Sequence, residues 1–195
     1  MERYFKLTAQ VQKDAPDLII WPEASLPVVL EEEPAYYERL AQYTKTIGRP
    51  LIFGAVTRRG GFYYNSALLL SKEGELSERY DKLHLVPFGE YIPFRNTFRF
   101  LETIAPIGDI TRGKDYTLFN IQHQKLKIQY QCGVLICFED VFPELARSFV
   151  NKGADFLVNI TNDAWFGHTT EAAQHLAASV FRAVENRVNI VRSAN

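Results

Sequence analysis

Cysteine is scarce here: Cys132 and Cys137 are the only two in 195 residues. Five positions apart on what reads as one extended strand, they point to opposite faces and cannot pair with each other. That excludes a disulfide framework. The four histidines are scattered, and no CxxC or His-rich spacing marks a zinc site. Charge of one sign is also missing. The formal net charge is −1 with no basic block, which excludes nucleic acid as the main partner, since phosphate binding needs clustered Lys and Arg. Long hydrophobic runs are absent too. Stretches such as Ala67–Leu70 and Val134–Cys137 fall far short of the roughly 20 residues that span a bilayer. Met1–Lys6 has no signal-peptide core. There are no internal repeats or low-complexity segments. What is present is an ordinary globular balance, 47% hydrophobic and 23% charged, in a length that fits one domain over residues 1–195.

Periodicity and punctuation divide the chain. Residues 1–13 read as a helix, with Met1, Phe5, Thr8 and Val11 near one face. Asp17–Trp21 reads as a short buried strand. Pro34 opens a helix that carries Tyr36, Leu40, Tyr43 and Ile47 and ends at Gly48. Leu51–Thr57 and Phe62–Leu70 flank Arg58-Arg59-Gly60-Gly61, a hairpin signal. A second turn leads to a strand over Glu75–Lys82. Two prolines and a glycine make 83–95 a loop, and Asn96–Ile104 is expected to be a short helix. The alternation of Leu126, Ile128 and Tyr130 passes into the apolar run ending at Cys137, a strand moving from half-exposed to fully buried. Pro143–Lys152 reads as a helix, Ala154–Thr161 as a strand, Thr170–Asn186 as a helix and Val188–Arg192 as a last strand. Hairpins mixed with strand–helix alternation predict an α/β sandwich with mixed sheets.

Three polar groups stand where apolar runs or strands end. Cys137 closes Gly133-Val134-Leu135-Ile136 and is followed by Phe138-Glu139-Asp140. A free cysteine is usually a small buried hydrophobe, and Cys132 fits that description. Cys137 sits instead at a strand end beside two acids, where a thiol works better as a nucleophile than as core filling. No histidine is linked to it in sequence, which points to a carboxylate base. Glu23 follows Trp21-Pro22 after Leu18-Ile19-Ile20, and the proline fixes the backbone before the acid. Lys82 ends the strand after Glu75. Ligands in α/β sheets gather at strand carboxyl ends, so Glu23, Lys82 and Cys137 can share one pocket. There the lysine would serve as a fixed cation for a developing oxyanion. Two aromatic loops, Lys82–Pro93 and Asn162–Gly167, have the makings of substrate walls, with Phe88, Tyr91 and Trp165 as lining candidates. The apolar groups of 83–95, namely Leu85, Val86, Phe88, Tyr91, Ile92 and Phe94, with Arg95 and Arg99 nearby, would suit a membrane interface.

Trp21-Pro22-Glu23, Tyr80-Asp81-Lys82-Leu83-His84-Leu85 and Leu135-Ile136-Cys137-Phe138-Glu139 together resemble the Glu-Lys-Cys signature of the nitrilase, or carbon–nitrogen hydrolase, superfamily. Val86–Pro93 and Thr161–Gly167 resemble its apolipoprotein N-acyltransferase branch. The resemblance implies a nitrilase-like α-β-β-α sandwich whose first and last strands lie outside residues 1–195, the chain being part of a longer one. It implies Glu23 as general base, Cys137 as nucleophile and Lys82 as transition-state stabiliser, with the Phe138 amide sharing the oxyanion. Glu90 matches the second acid of the family's site and Glu139 a supporting one. The implied reaction moves a fatty acyl chain from a phospholipid donor, through a Cys137 thioester, to the N-terminal amine of a diacylglyceryl lipoprotein. It needs no metal or organic cofactor. It would run at the membrane surface, on the outer side of the bacterial cytoplasmic membrane. The alternatives are a soluble amidase or nitrilase with the same three residues, and a non-catalytic fragment that only binds partners.

Overall fold

The computed structural model describes residues 1–91, 110–123, 126–167 and 169–195, without the side chains of 165 and 166. The expected helix over 96–104 and the apolar groups Ile92 and Phe94, with Arg95 and Arg99, lie outside the described residues.

The chain opens with α1 (Glu2–Val11), β1 (Ile19–Ile20), β2 (Leu26–Val29) and α2 (Pro34–Ile47). Pro34 sits in the first turn of α2, and Gly48 closes it in the left-handed conformation, its N–H donating to Thr44 O. The hairpin β3 (Leu51–Arg59) and β4 (Phe62–Leu70) follows, then β5 (Leu76–Asp81). These strands form one sheet in the order β1-β3-β4-β5. Strands β1 and β2 both run parallel to β3, pairing at Leu51–Ile52 and at Ala55–Val56, so they are two segments of one edge with the Glu23 loop between them.

The second sheet has the order β6-β7-β8-β9, from β6 (Leu118–Gln122), β7 (Gln129–Ile136), β8 (Phe156–Thr161) and β9 (Asn189–Ala194). The last three strands are parallel, joined by the crossovers α3 (Pro143–Asn151) and α4 (Glu171–Asn186). The period of two sorts each strand between layers. Leu51, Phe53 and Ala55 pack toward α1 and α2, while Ile52 joins the cluster between the sheets. Gly133 of β7 lies under Phe149 of α3, where a Cβ would come within 2.5 Å of the ring. The result is the expected α-β-β-α sandwich.

Three details differ from the expectation. Strands β2 and β6 were not anticipated, the first because Ser25 and Pro27 break its apolar run, the second because its residues alternate over only five positions. Leu126 and Ile128 are not in a strand. They flank Lys127, whose φ of +53° turns the chain, and both are exposed. Finally, Cys137 is not on the strand with Cys132. It opens a 3-10 turn, Cys137–Val141, with its own φ at +53°.

Candidate active site

Glu23 follows β1, Lys82 follows β5, and Cys137 follows β7, so three strand carboxyl ends converge. Each backbone is fixed locally. Trp21 is buried, donates from Nε1 to Thr8 Oγ1 at 2.9 Å and stacks on Tyr4. That anchors the chain just before Pro22-Glu23. On the other side the Glu23 loop presses on β3 at Gly54, where a Cβ would lie 2.7 Å from both Glu23 Cα and Ala24 N. Only glycine permits that approach.

The Glu23 carboxylate is buried and accepts from Asn65 Nδ2 at 2.8 Å and from the Asn162 N–H at 3.1 Å. Lys82 is 1% exposed. Its Nζ lies 3.8 Å from Glu23 Oε1 and 3.0 Å from Glu90. Glu90 also accepts from Asn65 Nδ2 and the Val86 N–H. Asn65 therefore bridges the two acids, and the lysine lies between them. Burial draws the Lys82 pKa down, but the Glu23, Glu90 and Cys137 charges outweigh it and leave it raised. Those charges favour the ammonium form.

The Cys137 thiol is pushed up to about 11, by burial first and then by the Glu23 charge. Lys82, Thr161 and the Phe138 N–H pull the other way. An acid, a cation, a hydroxyl and a backbone N–H thus all act on the sulfur. A resting thiol of that kind needs a proton acceptor at the moment of attack. Cys132, fully buried, is pushed up much further by burial.

Glu139 is fully buried and accepts from Tyr80 Oη at 2.9 Å and from the N–H groups of Leu83, His84 and Ile136. It ties the Lys82 strand end to the Cys137 turn. Burial pushes its carboxyl up to about 7 against the pull of those donors.

Of the expected lining residues, Tyr91 borders a cavity of about 510 Å³ with Leu83, His84, Leu85, Ile110, Arg112 and Phe142. Phe88 is 60% exposed and is not part of that wall. Trp165 lies in the 3-10 turn Asp163–Phe166, and its side chain is outside the described residues. The Phe138 side chain is exposed, and it is the backbone amide that acts on the Cys137 thiol.

Sequence reasoning missed Asn65, Asn159, Asp140, Asp163, His175 and Arg192. Arg192 donates to Asp163, Asp140 and Asn159 behind the Cys137 turn. Nothing in the sequence distinguishes these from surface polar residues. The one signal available was that Asn162-Asp163 directly follows an apolar strand. Among the described residues no group of His, Cys, Asp and Glu is arranged to hold a metal, and no helix is long and apolar enough to cross a membrane.

Comparison with known proteins agrees with this geometry. The family model described as carbon–nitrogen hydrolase matches residues 1–195. Among curated proteins, the chain is 43% identical over 188 residues to an apolipoprotein N-acyltransferase of Geobacter metallireducens, covering 92% of this chain and 34% of that one. It is 36% identical to apolipoprotein N-acyltransferase 2 of Treponema denticola, covering 92% of this chain and 36% of that one. The chain thus spans about a third of the length of the curated relatives it matches. An amidase from Nesterenkonia sp. superposes with a TM-score of 0.69 at 21% identity, over 99% of this chain and 70% of that one. A carbon–nitrogen hydrolase from Helicobacter pylori gives 0.70 at 19%, over 99% and 66%.

Proposed function

Because the chain belongs to the carbon–nitrogen hydrolase family, we propose that it is the catalytic part of an N-acyltransferase that moves a fatty acyl group from phospholipid to the N-terminal amine of a lipoprotein. The observation that carries this reading is the convergence of Glu23, Lys82 and Cys137 at three strand ends, in a chain whose 43%-identical relative is named an apolipoprotein N-acyltransferase.

Glu23 takes the Cys137 proton as sulfur attacks the ester carbonyl. The oxygen of the tetrahedral intermediate carries the negative charge, met by the Lys82 ammonium and the Phe138 N–H. Collapse expels the lysophospholipid alkoxide, which recovers the proton from Glu23 and leaves a thioester on Cys137. The lipoprotein amine then attacks that thioester and gives a proton to Glu23. The second intermediate expels the Cys137 thiolate, which is reprotonated, and the amide leaves. Glu90 and Asn65 hold Lys82 and Glu23 in place through both halves. We place the reaction at the outer side of a bacterial cytoplasmic membrane, where both substrates are embedded.

The test is intact mass of the full-length protein with phospholipid. An acyl adduct on Cys137 that persists in water and discharges onto an N-terminal lipopeptide is expected. Prompt hydrolysis without transfer would assign the chain to the amidases instead. Absence of any adduct with either phospholipid or small amides would refute a catalytic role.

A further inference from the structure

Cys137 holds a left-handed backbone conformation, which residues other than glycine rarely adopt. Something around it must impose that geometry. The Cys137 carbonyl accepts two hydrogen bonds, from Asn159 Nδ2 at 3.1 Å and from His175 Nε2 at 3.1 Å. Carbonyl and following N–H belong to one rigid trans plane and point in opposite directions. Fixing the Cys137 carbonyl therefore fixes the Phe138 N–H, the backbone donor that acts on the Cys137 thiol.

The imidazole is itself held. Arg192 Nη2 lies 3.0 Å from Nδ1 and Asp163 Oδ1 lies 3.3 Å from it. Asp140 Oδ1 flanks Nε2 at 2.9 Å, as an ion contact rather than an aligned hydrogen bond. Nδ1 can accept from Arg192 in the neutral ring or donate to Asp163 in the cation, and in both of these forms Nε2 carries a proton. Either form presents an N–H to the Cys137 carbonyl. Burial pulls the His175 pKa down, but Asp140 outweighs burial and the Arg192 charge and leaves it raised. A cationic ring polarises the peptide further and strengthens Phe138 as a donor.

The element that carries His175 meets the same turn through further polar groups. On α4 the buried residues are His175, Ser179 and Arg182, a polar stripe at helical spacing. Ser179 donates to Asp140 Oδ2, and Arg182 Nη1 donates to the carbonyls of Asp140 and Val141. The helix thus meets the Cys137–Val141 turn through hydrogen bonds from Ser179 and Arg182, while its Leu176, Val180 and Val184 are exposed.

We propose that His175, together with Asn159, is a positioning residue for the oxyanion donor: it holds the Cys137–Phe138 peptide so that the Phe138 N–H meets the charge that develops on the attacked carbonyl. The proposal rests on the reading of Cys137 as an acyl-accepting nucleophile.

Two reactions at the same sulfur separate this role from a structural one. Acylation by a p-nitrophenyl ester builds an oxyanion, whereas alkylation by iodoacetamide, a displacement at saturated carbon, does not. In the full-length protein, His175→Met is expected to slow acylation about a hundredfold, the usual scale for a lost oxyanion donor, and to change the pH-independent alkylation rate less than about threefold. His175→Gln restores an N–H donor and should recover most of the acylation rate. Equal slowing of acylation and alkylation, or acylation unchanged in His175→Met, would overturn the proposal. Should His175→Met fail to fold, His175→Gln carries the test, and a loss there of acylation and alkylation in parallel overturns it as well. If the parent protein forms no acyl adduct at Cys137, the nucleophile reading fails, and the proposal fails with it.

Discussion

At the residue scale, the proposed mechanism asks how a thiol pushed up to about 11 is activated. Its two charged neighbours act on it with opposite signs. Glu23 raises the thiol pKa and Lys82 lowers it, so their removal should have opposite effects on the free sulfur and the same effect on acyl transfer. Glu23→Gln removes a negative charge, favours the thiolate and should speed iodoacetamide alkylation at neutral pH. It also removes the proposed proton acceptor, so acylation should fall a hundredfold or more. Lys82→Met should slow both, because it removes a cation from the thiolate and from the oxyanion. Parallel changes in the two reactions for Glu23→Gln would show that the carboxylate is not the base. In the parent, alkylation should map to Cys137 alone, since Cys132 is fully buried and further from ionisation. Its rate should climb about tenfold per pH unit above pH 7 and level off near pH 11, because the thiolate is the reactive form and the folded state holds the proton more tightly than a free cysteine does. A plateau near pH 8 or labelling of Cys132 would contradict that account.

At the element scale, each catalytic candidate depends on an irregularity between regular elements. Glu23 sits where one edge strand is split into β1 and β2, and that split rests on Gly54. Gly54→Ala places a methyl 2.7 Å from Glu23 Cα, against backbone that cannot rotate away. The expected cost is about 1–3 kcal/mol in urea unfolding, with a larger proportional loss of acylation because Glu23 moves. An unchanged acylation rate in a destabilised variant would show that the loop tolerates the shift. The same irregularities mark the boundary of what the sequence discloses. Helix α2 and the β3–β4 hairpin were legible, because Pro34, Gly48 and Gly60-Gly61 are local signals with local causes. Glu23 and Cys137 stood out as candidates because apolar runs end just before them, and Lys82 because it closes a polar strand. The left-handed turn at Cys137 was not, since no glycine announces it and its cause lies in Asn159 and His175, 22 and 38 positions away. Helix α4 was legible as a helix over Thr170–Asn186, but not in the face it buries. Its apolar Leu176, Val180 and Val184 are exposed and its polar stripe is buried, the reverse of the usual amphipathic rule.

At the scale of the whole molecule, the site is a seam between two sheets, and neither sheet holds a complete set. Glu23, Lys82, Asn65 and Glu90 belong to the first sheet and its loops, and Cys137, Phe138, Asn159 and Thr161 to the second. Among the described residues, several polar contacts cross between the sheets, Asn120 of β6 donating to Glu78 of β5 at one end. Asn162 donates to Glu23, Ser193 Oγ donates to the Ile20 carbonyl, and Glu139 gathers Tyr80, Leu83 and His84 from one side and Ile136 from the other. Glu139 makes the largest of these joins, because one buried carboxylate satisfies four donors that would otherwise face a dry interior. Glu139→Gln keeps the shape but aims an amide NH2 at groups that are themselves donors, leaving at least one buried N–H unpaired at a cost of about 1–3 kcal/mol. Unfolding by urea should register that loss. Acylation should fall further than the stability change accounts for, because Leu83 adjoins Lys82 and Ile136 adjoins Cys137, so a loosened join separates cation from nucleophile. Double variants supply the decisive measurement. If Glu139 acts by registering the sheets, Glu139→Gln added to Lys82→Met should slow acylation much less than the product of the two single effects, since both act through the same cation–sulfur geometry. Full multiplication of the two effects would mean that Glu139 contributes to folding alone, and that the seam is held in register by its apolar packing.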